Sequence, residues 1–287
     1  MLGAIIGDIV GSRLEFNNHR SKDFELFGKG CSVTDDSVMT LAVAKALMET
    51  EKGCGSDVIS QGSGEDFVSA LRRQAVKYMQ QIGRRYPACG YGGMFYRWMF
   101  NDKPQPYNSY GNGAAMRISP AGFAARTMQE AAEFSAAITC VTHNHAEGIK
   151  GAEATSVSVY LARQGTGKAE IRELIARDYY PLDFTIDEIR PAYRFNVTCQ
   201  GTVPLAVTAF LESSSFEDAI RTAVSLGGDS DTLAAITGAI AQAHYGIPSE
   251  IRSRALTFLD KDLRRIYDEW EAFMLLRGLS QRHGRGL

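Results

Sequence analysis

The chain of 287 residues is longer than a typical domain, yet its 45% hydrophobic and 22% charged residues are ordinary globular usage and suffice for one large core. A net charge of −2 and the absence of a concentrated Lys/Arg run leave no obvious nucleic-acid surface and argue against an anionic membrane as partner. Five cysteines (Cys31, Cys54, Cys89, Cys140, Cys199), scattered without a C-x-x-C pair, indicate reduced thiols in a cytoplasmic protein and argue against a disulfide framework or a zinc site.

Taken in chain order, residues 1–11 are apolar but lack a basic lead. Asp8 interrupts them well short of a bilayer span, so they read as neither a signal sequence nor a membrane anchor. Residues 34–50 are apolar nearly all round and predict a core helix. A Gly/Ser-rich connection follows at 51–64, then an amphipathic helix over 65–82 through Phe67, Leu71, Ala75, Tyr78 and Ile82. Phe95, Tyr96 and Trp98 read as core. Residues 101–113 form a Pro/Gly loop, and 129–140 with 145–163 form a helical pair interrupted at His143–His145. A third loop spans 178–202, where Phe195–Thr198 is the one hint of extended chain. Helices over 203–212, 215–225, 229–245 and 249–275 complete the chain, and His244 sits late in one of them as a structural residue. Strands do not recur between the helices, which disfavours a doubly wound α/β fold. No interdomain linker or fixed-period repeat is visible. The expectation is an all-α, compact multi-helix bundle, a single domain over 1–287.

Two acidic clusters open helices: Thr34-Asp35-Asp36-Ser37, and Asp229-Ser230-Asp231-Thr232 behind Gly227-Gly228. Capping accounts for one acid at a helix start, where a carboxylate accepts orphan N–H groups and meets the positive end of the dipole. Here each cluster holds two acids and a threonine, and the helices behind them have no polar face. Carboxylates crowded at a core would repel one another and lose hydration, and so take up protons or recruit a cation. All-oxygen ligands suit Mg²⁺ or Mn²⁺ better than Zn²⁺. The clusters lie nearly two hundred positions apart, and the sequence alone leaves open whether they meet.

Four segments in register, 3–15 (GAIIGDIVGSRLE), 34–40 (TDDSVMT), 110–117 (YGNGAAMR) and 227–232 (GGDSDT), together resemble the ADP-ribosylglycohydrolase family, which includes the dinitrogenase reductase-activating glycohydrolases. The resemblance runs from residue 3 to about 246. It implies an all-α fold with two divalent cations, Mg²⁺ or Mn²⁺, in a cleft. Thr34, Asp35 and Asp36 would ligate from one side, and Asp229, Asp231 and Thr232 from the other. It implies that Glu15 flanks the metals near the ribose. Ser109, Tyr110, Gly111, Asn112 and Gly113 would form a phosphate-binding loop, with His143 against the diphosphate or ribose and Gly92 and Gly93 in a substrate loop. The bland alternatives are an end-of-helix glutamate at 15, an Asn-Gly turn at 112–113 and structural hydrogen bonding at His143 and His145. Ser37 stands where many relatives have Thr. The 51–64 loop and the tail from Arg277 match nothing in the family pattern.

The implied reaction is hydrolysis at an anomeric carbon, releasing ADP-ribose from a modified acceptor such as a protein arginine. A metal-polarised water would attack, with Glu15, Asp35 or Asp36 as acid–base catalyst. A small ADP-ribose conjugate or an ADP-ribosylated nucleic acid is an alternative substrate. Phosphoester cleavage is an alternative reaction, and a non-catalytic, lens-crystallin-like role is an alternative from another class.

Overall fold

In the computed structural model, which describes residues 1–54 and 65–279, a stripe of three glycines decides how the first helix packs on a helix more than two hundred positions later. Gly3, Gly7 and Gly11 recur every fourth residue along the first helix, α1 (Leu2–Ser12), and so lie on one face of it. That face presses on α13 (Ser230–Tyr245). A Cβ on Gly3 would overlap the carbonyl oxygen of Gly238, one on Gly7 that of Ala234, and one on Gly11 the Cα of Asp231. With no side chain between the two backbones, α1 lies directly on α13.

Around this pair the remaining helices follow in chain order: α2 (Asp35–Cys54), α3 (Glu65–Gly83), α4 (Gly93–Phe100), α5 (Gly113–Met116), α6 (Ser119–Ala124), α7 (Met128–Thr139) and α8 (Ala146–Gln164). Then come α9 (Lys168–Asp178), α10 (Ile186–Ile189), α11 (Cys199–Glu212), α12 (Phe216–Val224), and, after α13, α14 (Ser249–Leu256) and α15 (Lys261–Leu276). The all-α expectation holds: among the described residues the only β interaction is an isolated bridge between Gly111 and Thr198. Phe195–Thr198 is therefore extended chain without a sheet. α13 is buried from Ser230 to Gln242, and α8 packs against α5, α6, α7, α11 and α13. Both sit at the centre of the bundle, α13 because it is apolar or small nearly all round and α8 through its small-residue face of Gly148, Gly151, Ala152, Thr155 and Val159. Among the described residues no helix is long and apolar enough to cross a membrane.

Several boundaries differ from the sequence reading. The core helix α2 continues to Cys54, four residues into the expected 51–64 loop, and 55–64 lie outside the described residues, as does the tail beyond Leu279. The expected helix over 249–275 is two, because the Asp260 carboxylate accepts the N–H groups of Asp262 and Leu263 and starts α15 afresh. The 178–202 loop ends early. Thr198 accepts the N–H of Gly201 through Oγ1 and opens α11, leaving Pro204 inside a helix. Phe95 and Trp98 are buried, whereas Tyr96 is exposed and packs on Phe100 at the surface.

Replacing Gly7 with alanine should force α1 off α13 and destabilise the protein by about 2–3 kcal/mol, the usual cost of overpacking a filled core. Urea denaturation of the variant measures this.

Candidate metal centre and substrate cleft

The two acidic clusters converge. α1 ends beside the start of α13, and α2 begins next to both. Thr34, Asp35, Asp36, Asp229, Asp231 and Thr232 line one cleft of about 600 Å³ with Glu15, which sits on the 3₁₀ turn after α1. Thr232 Oγ1 donates to Asp36 Oδ2 across the gap at 3.4 Å. Glu15, Asp229 and Asp231 each offer a carboxylate oxygen within 4.8 Å of the other two.

Thr34 Oγ1 accepts the Asp36 N–H at 3.4 Å, but the two acids of the first cluster are not what caps α2. Asp8, fully buried on α1, accepts the N–H groups of Thr34 and Ser37, each at 3.0 Å, and the Thr34 hydroxyl at 2.6 Å. The Asp35 N–H goes to the Cys89 carbonyl at 2.8 Å. A carboxylate from another helix thus caps α2, which leaves Asp35 and Asp36 free, and Asp36 Oδ1 is buried with no hydrogen-bond partner. At the second cluster Gly227 and Gly228 both have positive φ, 72° and 65°, a turn few side-chain-bearing residues adopt. It delivers Asp229 into the cleft, where Asp229 does not cap α13 and instead accepts Asn112 Nδ2 at 2.6 Å.

Asn112 belongs to the 109–113 loop, which forms the facing wall. Two backbone bonds tie that loop to the 195–199 segment, Asn112 N–H to Val197 O at 2.8 Å and Cys199 N–H to Tyr110 O at 2.9 Å. Ser109, Gly111, Asn112, Gly113, Gly92, Gly93 and His143 all line the cleft. Tyr110 does not. Its ring turns outward, 47% exposed, and packs edge-on against His145, so its only tie at the site is the carbonyl that anchors the loop. His145 has a structural task, accepting the Glu147 N–H at the head of α8.

The sequence model of the ADP-ribosylglycohydrolases matches residues 1–282. The chain belongs to the ADP-ribosylglycohydrolase family. Among its relatives, the dinitrogen reductase ADP-ribosyl glycohydrolase of Rhodospirillum rubrum is 25% identical, over 97% of this chain and 95% of that protein. The ADP-ribosylarginine hydrolase Tri1 of Pseudomonas putida (strain GB-1) is 27% identical over 86% and 70%, and the ADP-ribosylhydrolase ARH3 of Mus musculus 26% over 75% and 70%. A solved structure titled as an ADP-ribosylglycohydrolase-related protein complex superposes with a TM-score of 0.63 at 21% identity, covering 92% of this chain and 93% of that one. These relationships make the chain a hydrolase of the ADP-ribosylglycohydrolase type.

The donor set of this glycohydrolase fits a hard divalent cation. Its acids are oxygen-only and crowded, Asp36 keeps an orphaned oxygen, and among the described residues no lysine or arginine forms an ion pair with them. Burial, reinforced by the Asp229 and Asp8 charges, pushes Glu15 up to about 7, and burial with the Asp8 charge pushes Asp35 up to about 8. Asp36 and Asp231 rise well above the carboxylate range for the same reasons, burial first and neighbouring aspartates second. Two residues inside the family-like segments receive no role from the sequence. Asp8, in the 3–15 segment, reads only as a break in an apolar run, although a lone acid inside such a helix is itself the signal of a buried role. Arg117 closes the 110–117 motif and is only 1% exposed.

These shifts fix a pH dependence. A carboxyl whose folded pKa lies above its unfolded value of about 4 costs the folded state more to ionise, so in the metal-free protein these site carboxyls favour the fold most at low pH. That stability is lost as pH rises from about 4 through the folded values near 7 and 8. A bound dication removes the cost of ionisation. The rise in Tm on adding a divalent cation should therefore grow from about pH 5 to about pH 8, read by thermal denaturation with and without EDTA. Asp36→Asn should raise the metal-free Tm and shrink the cation-induced increment.

Proposed function

We propose that this chain is a divalent-metal-dependent hydrolase that releases ADP-ribose from ADP-ribosylated protein side chains, arginine among them. The observation that carries the reading is the meeting of residues 34–36 with 229–232 at one end of a cleft whose other wall is the 109–113 loop. A relative named for ADP-ribosylarginine and another named for ADP-ribosyl-dinitrogen reductase support the acceptor class. The free thiols of Cys31, Cys89, Cys140 and Cys199 fit the cytoplasm as its setting.

Thr34, Asp35, Asp36, Asp229, Asp231 and Thr232 would hold two Mg²⁺ or Mn²⁺ ions. Such ions, when bound, supply positive charge to ribose hydroxyls and acidify a water. The protein's own groups do the rest. Asp8 holds the start of α2 rigid, so Asp35 and Asp36 present their carboxylates without serving as caps. Glu15 is held near neutrality by burial beside Asp229, where a carboxyl both gives up and takes back a proton at ambient pH, as acid–base work at an anomeric carbon requires. Gly111 and Gly113 let the loop backbone approach an anion closely, and Gly92 and Gly93 at the start of α4 leave the opposite lip unobstructed.

Incubation with ADP-ribosylated arginine, serine and nucleic-acid substrates, with and without chelator, tests the proposal. Free ADP-ribose, formed only without chelator and fastest from arginine, is the expected result; AMP or phosphate as product would replace glycosidic with phosphoester cleavage. Asp231→Ala should lower kcat/KM by more than about a hundredfold while leaving the helical circular dichroism intact, since it removes a ligand and little packing. Wild-type turnover in that variant would show that the acids are not the reaction centre.

A further inference from the structure

His143 is buried in the wall of the cleft beside the 109–113 loop, and its two ring nitrogens face opposite surroundings. Nε2 looks into the 109–113 loop: a Cβ built on Gly111 or on Gly113 would stand 3.5 Å from it. Among the described residues it has no hydrogen-bond partner. Nδ1 looks into the protein, where Arg117 Nη2 lies 3.2 Å away and the Thr142 hydroxyl 2.8 Å away. Arg117 is itself 1% exposed, lies over the Phe95 ring at 5.1 Å and donates to Thr142 Oγ1 at 2.7 Å, and its Nε has no partner. No carboxylate lies within ion-pair distance of Arg117 among the described residues. A fully desolvated guanidinium without an ion pair is costly, and a hydrophobic residue of similar volume would fill the space at less cost.

A guanidinium has donors only. A proton on Nδ1 would point one N–H at another across 3.2 Å, so Nδ1 must accept, and the ring proton of neutral imidazole is left on Nε2. Thr142 does not impose this, because its single hydroxyl proton has the Thr139 carbonyl at 3.3 Å as a second acceptor. We infer that Arg117 is a positioning residue that locks His143 as an Nε2–H donor aimed into the 109–113 loop, preset for an oxygen of the substrate's diphosphate. The role given to the diphosphate rests on the function proposed above; the tautomer does not. Burial and the Arg117 charge both disfavour imidazolium, so His143 serves as a neutral donor. The buried charge of Arg117 adds a favourable field for an anion in the loop.

Long-range ¹H–¹⁵N correlation spectra of the full chain, with His143→Gln used to assign the ring, report which nitrogen holds the proton. The wild type should show Nε2–H with no ligand present. Arg117→Met should give a mixture of tautomers and weaken ADP-ribose binding about tenfold, the loss expected of one charge-assisted contact. Arg117→Lys, still donor-only, should restore the Nε2–H form. Nδ1–H in the wild type, or an unchanged pure tautomer in folded Arg117→Met, would overturn the inference. If Arg117→Met does not fold, Thr142→Val decides: retention of Nε2–H supports Arg117 as the determinant, and a switch to Nδ1–H assigns the role to Thr142 instead. A correct tautomer in a wild-type protein that fails to bind ADP-ribose would sink the functional reading alone.

Discussion

The close approach of α1 to α13 is the contact on which the rest of the molecule depends. Three glycines on one face allow two backbones to touch, and that contact carries Asp8 and Glu15 to the acidic start of α13. Asp8 then reaches over to the head of α2 and brings Asp35 and Asp36 with it. One packing decision thus joins residues more than two hundred positions apart. Larger side chains on that face would hold the helices at the ordinary 8–10 Å separation and leave the carboxylates on separate surfaces.

The same closeness sets the electrostatic character of the site. Six carboxyl groups, at Asp8, Glu15, Asp35, Asp36, Asp229 and Asp231, gather where water is scarce. Asp8 is satisfied by three hydrogen bonds and works as a structural joint. Burial nonetheless raises all six above the ordinary carboxylate range, and resistance to ionisation is how a folded protein stores affinity for a cation. The destabilisation of the cation-free state and the capacity to hold a cation have one origin.

Much of the framework was legible in the sequence, for reasons particular to it. The apolar helices at 34–50 and 229–245 have nowhere to lie but the core, so acids at their first turns had to be desolvated. What stayed hidden was whatever depended on partners remote in sequence. Capping by Asp8 requires knowing that α1 crosses the head of α2, and without it Asp35 and Asp36 look like caps. The donor set around His143 requires Arg117 and Thr142 to be neighbours. Tyr110 sits inside the glycine-rich motif, and only the loop's anchorage to Cys199 shows that its ring turns out of the cleft. The break at Thr257–Asp260 was missed because helical periodicity continues across it while an aspartate carboxylate claims the backbone N–H groups locally.

The bond from Asn112 to Asp229 carries one more consequence. It joins the loop assigned to the anion directly to a carboxylate assigned to the cation, so the two halves of the cleft share a mechanical link. A shift in either is felt by the other, and binding free energies coupled in this way obey reciprocity. By whatever factor an occupant on the loop side alters affinity at the acids, an occupant at the acids alters affinity at the loop by the same factor.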